Sequence, residues 1–122
     1  MKLHQTPAGD LQLFSGYGAG YVSVNNVRHG NGVVVTPQTV REWPVAGLEA
    51  LTAADFAFID ELKPEVVVLG TGASQRFLRA DLARALAAIG VGVEVMDTRA
   101  ACRTYNILAS EGRKVVAAVL IA

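Results

Sequence analysis

Short β-branched and aromatic runs alternate with glycine and asparagine through residues 1–45: Leu11-Gln12-Leu13-Phe14, Tyr21-Val22-Ser23-Val24 and Gly32-Val33-Val34-Val35. This rhythm predicts strands joined by turns. Asn25-Asn26 lies between Val24 and Val27, and asparagine tolerates positive φ, so a two-residue hairpin turn is expected there. Gly16-Tyr17-Gly18-Ala19-Gly20 reads as a loop between strands. Thr36-Pro37 closes the β region, and the proline of Trp43-Pro44 allows at most an edge strand over 38–45.

Helical spacing then takes over. Thr52 with Asp55 three residues on marks a helix start, Phe56, Ile59 and Leu62 follow, and Lys63-Pro64 ends the run. Glu65-Val66-Val67-Val68-Leu69 is nearly continuous apolar sequence, the pattern of a strand covered on both faces, and is expected at the centre of a sheet. After Gly70-Thr71-Gly72, Ser74 is the candidate cap of a helix over 75–89. Its apolar stripe is Leu78, Leu82, Leu86 and Ile89, opposite Arg76, Arg79 and Arg84, and Gly90 is its stop. Val91 to Met96 forms the next strand. Thr98 is the expected cap of a helix over 99–111 carrying Ala101, Tyr105 and Leu108, ended by Gly112, and Val115 to Ile121 is the last strand. Residues 65–122 thus read as a βαβαβ core with parallel pairing and right-handed crossovers. The whole chain, residues 1–122, is expected to be one α/β domain, with the β-rich segment 1–45 extending or covering the sheet.

Composition narrows the function classes. Apolar residues make up 52% of the 122, which is enough for a core that buries about two thirds of the unfolded surface without disulfides or a metal. Eleven basic and eleven acidic residues cancel, so nothing in the overall charge favours nucleic acid or an anionic membrane. Met1 to Pro7 has no apolar leader and Val115 to Ala122 is too short to span a bilayer, so a soluble, cytoplasmic protein is expected.

Candidate chemistry is sparse. Gly70-Thr71-Gly72 falls where a parallel sheet binds its ligand, at a strand's carboxyl end and ahead of a helix. Gln75 stands where a dinucleotide fingerprint needs a small residue, and no lysine completes a P-loop. Two readings remain, a tight turn and an anion site. The Asp97-Thr98-Arg99 turn should reach the same sheet edge, bringing Arg76 towards Arg99 and Arg103 and making a positive pocket with Gly70, Thr71, Gly72, Asp97 and Thr98. Against it stands simple capping by Asp97 or Thr98 with solvated arginines. Cys102, flanked by Arg99 and Arg103 in the first helical turn, is read as a packed thiol. His4 and His29 are far from it in sequence, metal-ligand spacing is absent, and neither a cofactor nor catalytic residues are expected. Trp43 is either a contact anchor or a core edge.

Phe14-Ser15-Gly16-Tyr17-Gly18, Val24-Asn25-Asn26, Thr36-Pro37 with Trp43, Gly70-Thr71-Gly72 and above all the block from Asp97 to Leu108 followed by Glu111-Gly112-Arg113 carry a resemblance. They resemble the small Mth-type domain of unknown function, a family similar to the mitochondrial NADH dehydrogenase (complex I) assembly factor three of eukaryotes. The resemblance implies a three-layer α/β fold with a central mixed sheet and an extra β layer, no assigned catalytic residues, and a free-standing bacterial-type member without a mitochondrial targeting extension. The leading expectation is a non-enzymatic binding or assembly protein with a protein partner. The alternative is a small enzyme or carrier of an anionic metabolite held at Gly70 to Gly72 by Arg76 and Arg99, with Asp97 the nearby acid or base.

Overall fold

The computed structural model describes residues 10–121; His4 and the opening segment lie outside the described residues. Three strands, β1 (Phe14–Gly18), β2 (Tyr21–Val24) and β3 (Val27–His29), form an antiparallel meander. Asn25 and Asn26 make the expected turn, with φ of 47° and 69°. Strand β1 lies later than the pattern implied. It runs through the glycines read as a loop, starting with a bulge between Phe14 and Gly16. A Cβ on Gly18 would come within 2.6 Å of the Tyr21 ring across the hairpin, so the ring in this position occupies the space that glycine leaves.

The second sheet has the order β5-β4-β8-β6-β7, with β4 (Val33–Val35), β5 (Val40–Glu42), β6 (Val66–Gly70), β7 (Gly92–Met96) and β8 (Val115–Val119). Strands β6, β7 and β8 are parallel, and β4 runs antiparallel to both β8 and β5. The three predicted core strands therefore share one sheet, and β5 is the edge strand that Pro44 permitted. The central strand, however, is β8 and not β6. Every residue of β8 is buried, and its Ala117 and Ala118 let layers close on both sides. It is shorter than expected, ending at Val119.

Helix α1 (Phe58–Leu62) is short and follows a 3-10 turn, Ala53–Phe56, where one continuous helix was expected. Asp55 accepts from the Thr52 amide at 2.9 Å, as the capping spacing anticipated. Helix α2 spans Ala80–Ile89, beginning well after the predicted 75, so it includes neither Ser74 nor Leu78. Helix α3 (Thr98–Ser110) closes the β7 to β8 connection. Strand order runs outward from β6 to β7 and back to β8, so right-handed crossovers put α2 and α3 on opposite faces. On one face Leu82 and Leu86 of α2 pack with Leu48, Leu51, Phe56 and Trp43. Trp43 is buried there, its Nε1 donating to the Asp55 carbonyl at 2.9 Å, which makes it a core residue. On the other face Ala101, Cys102, Tyr105 and Ala109 of α3 pack with Phe14, Val22 and Val24 of the meander. The fold is a mixed α/β arrangement with an additional β layer.

Tyr105 and Asn106 fasten the meander to α3. The buried Tyr105 hydroxyl donates to the Gln12 carbonyl at 2.7 Å, and Asn106 accepts from the Phe14 amide and donates to its carbonyl at 2.9 and 2.8 Å.

Candidate functional site

The loops after β6 and β7 do lie side by side, joined by direct hydrogen bonds. The Thr71 amide donates to the Met96 carbonyl at 2.9 Å and the Thr98 amide to the Gly72 carbonyl at 2.9 Å. Thr98 is buried, and its hydroxyl accepts from the Gly72 amide at 2.9 Å while donating to the Leu120 carbonyl at 2.6 Å. A Cβ on Gly70 would meet Thr98 Oγ1 at 2.8 Å and Val119 Cγ1 at 3.0 Å, so close approach of the loops requires that glycine. Gly72 has φ of +104°, as a tight turn needs. The amides of Thr71 and Gly72 are thus used within the protein, in the crevice where parallel sheets bind ligands.

Helix α3 is capped by Asp97, whose Oδ1 accepts from the Ala100 amide at 2.9 Å; Thr98, the expected cap, is the first residue inside the helix. Arg76, expected beside Arg99, has its ion pair elsewhere. It pairs with Glu49 on the α2 side of the sheet, where Glu49's own amide and then the Arg76 guanidinium hold that exposed carboxyl below the usual range. Arg79 binds the carbonyls of Glu49 and Leu51 at 3.1 and 2.8 Å. Cys102 is fully buried, and burial pushes its thiol up to about 12, despite the opposing field of Arg103. It is the packed thiol expected and not an activated nucleophile.

Arg99 and Arg103 turn instead to the β1–β2 hairpin. The Arg99 guanidinium lies 5.5 Å from the centre of the Tyr17 ring, and Arg103 donates to the Tyr17 hydroxyl at 3.1 Å. Tyr17, Ala19, Tyr21, Ala73, Thr98 and Arg99 line a cleft of about 320 Å³ there. The tyrosines were missed in the sequence because nothing local signals that this hairpin lies over the start of α3.

A second concavity, about 400 Å³, runs between α2 and β7, the strand that has no neighbour on its outer side among the described residues. The side chains that line it are all apolar, including Leu86 and Ala87 of α2 and Val91, Val93 and Val95. Phe77 stands on its rim, 87% exposed. No helix among the described residues is long and apolar enough to cross a membrane.

Fold and site together define a small mixed α/β protein in which a three-stranded meander is clamped to one helix of a five-stranded sheet. The chain belongs to the family described as Protein of unknown function (DUF498/DUF598), whose pattern matches residues 14–120. A crystal structure of a Bordetella parapertussis protein is similar, with 46% identity, coverage of 93% of this chain and 98% of that one, and a TM-score of 0.84. A solution structure of a Bordetella pertussis protein described as an Mth938-like domain has 39% identity, coverage of 98% and 92%, and a TM-score of 0.79. Among curated relatives, the Bos taurus NADH dehydrogenase (ubiquinone) 1 alpha subcomplex assembly factor 3 is 38% identical over 106 residues, 82% of this chain and 58% of that protein. The chain spans about half the length of the first curated relatives it matches.

Proposed function

We propose that the protein is a non-enzymatic binding protein of the assembly-factor kind, which holds an extended apolar segment of another protein in the groove between α2 and β7. The observation that carries this reading is the juxtaposition of an apolar groove, an exposed Phe77 and a strand edge left unpaired among the described residues. An edge strand offers backbone donors and acceptors to an incoming strand, while the groove takes that strand's alternate apolar side chains. The large exposed aromatic beside it is the kind of side chain that anchors interfaces. The names of the assembly-factor relatives support a protein partner, and subunits of a respiratory NADH dehydrogenase are the partner we propose. Its proposed setting is the cytoplasm, with no nucleic acid or membrane span required.

Deleting the gene in the native cell and resolving the respiratory complexes on native gels tests this. Assembled NADH dehydrogenase should fall and partial assemblies accumulate. The wild-type chain should restore assembly, and a chain carrying Phe77→Asp and Ala87→Asp, both at exposed positions, should not, while keeping the wild-type circular dichroism spectrum. Unchanged assembly in the deletion strain would remove the proposal.

A further inference from the structure

We propose that the cleft between the β1–β2 hairpin and the start of α3 binds a small, doubly charged oxyanion, a phosphate monoester or a dicarboxylate, through Arg99, Arg103 and the Tyr17 hydroxyl. Arg99 and Arg103 are four residues apart on α3 and so share one face, where two like charges repel. Both are exposed, and neither has a carboxylate partner among the described residues; the arginines that do are Arg41, Arg76, Arg79 and Arg113. Both are gathered instead around one phenol. A dianion seated beside them converts that repulsion into attraction, and guanidinium groups match the geometry of carboxylate and phosphate oxygens.

The Tyr17 hydroxyl accepts from Arg103, which leaves its own proton to donate to a ligand oxygen. The opposite wall is also fixed in advance. Arg28 lies 3.8 Å above the Tyr21 ring, and Gly18 leaves the space into which that ring folds. No carboxylate lines the cleft, and its volume of about 320 Å³ suits a metabolite and not a polymer. The first-turn amides of α3 contribute little, because Gly72 and Asp97 already occupy those of Thr98 and Ala100. The cleft lies on the α3 side of the sheet, away from the groove beside β7, so the two proposals stand or fall separately.

The test is a nuclear magnetic resonance titration of the full chain with sodium phosphate and with succinate, using sodium chloride at matched ionic strength as the control. At least one of the two oxyanions should produce saturable shifts at the Arg99 and Arg103 side chains and the Tyr17 ring in the millimolar range. Saturation by phosphate alone assigns a phosphate monoester, by succinate alone a dicarboxylate, and by both the charge pattern they share. Arg99→Gln and Arg103→Gln should each weaken binding by about tenfold, the usual cost of a lost charge-assisted hydrogen bond, and Tyr17→Phe by less. Shifts that merely follow chloride, or saturation that survives in the Arg99→Gln, Arg103→Gln double variant with its amide spectrum intact, would overturn the assignment.

Discussion

From Met96 a single residue, Asp97, carries the chain into α3, whereas from Gly70 the chain runs through residues 71–79 before α2 begins. The two connections start from neighbouring parallel strands at the same end of the sheet. They differ in where the first helical turn finds its partners. Asp97 supplies one from the adjoining residue, so α3 starts at once. No side chain caps α2, and the path before it is fixed by Arg79 reaching carbonyls in the segment around residue 50. A helix start written in local chemistry can be read from neighbouring residues; one fixed by a distant carbonyl cannot.

The contrast is testable at both connections. The largest effect is expected at Thr98, whose buried hydroxyl joins both connections to the end of β8. Thr98→Val leaves the Gly72 amide and the Leu120 carbonyl without that partner and should cost about 3 kcal/mol in urea unfolding, the sum expected for two unsatisfied buried groups. A loss below about 1 kcal/mol would mean that the loops are held together by packing alone. Next, Asp97→Ala should cost about 1 kcal/mol as a lost helix cap, whereas Ser74→Ala should stay within about 0.5 kcal/mol. Equal losses at the two positions would erase the distinction.

The smallest effect on stability, and the most specific readout, concerns Cys102, one turn into α3. Burial raises its thiol from an ordinary value near 9 to about 12, so the folded state holds the proton more tightly than the unfolded chain. The stability this contributes is complete below about pH 9 and is lost as pH rises towards 12. At pH 8 the native thiol should resist iodoacetamide until the chain is unfolded, while a Ser74→Cys, Cys102→Ala variant should be alkylated at once in the exposed connection before α2. Rapid native labelling of Cys102 would show that the capped start of α3 opens.

The alternation of apolar runs and helical stripes after Glu65 made the parallel β6, β7 and β8 legible, because each signal lies within a few residues. The early glycines misled for a physical reason. Gly16 and Gly18 look like loop residues, yet both pair across the hairpin with Ser23 and Tyr21, and the Tyr21 ring lies in the space that Gly18 leaves. The late start of α2 was also hidden, since Ala73 to Arg79 contains helix-compatible residues whose irregular path is tied by Arg79 to the carbonyls of Glu49 and Leu51. At the candidate site, Arg99 and Arg103 were legible as a basic pair on one helix face. Their shared partner Tyr17 was not, because the hairpin is brought to them by Tyr105 and Asn106 through bonds to Gln12 and Phe14.

The position of β8 has a consequence for synthesis. The last strand of the sheet to leave the ribosome is the one that must enter between β4 and β6. Until it arrives, both of those strands have one bare edge and the residues of the future core are open to water, a state prone to mispairing. Ribosome-bound chains that stop short of Val115 should therefore remain sensitive to protease and hold chaperones, and protection should appear in one step once Val119 is clear of the exit tunnel. Gradual protection beginning with the meander would show instead that the first hairpins settle before their clamp exists.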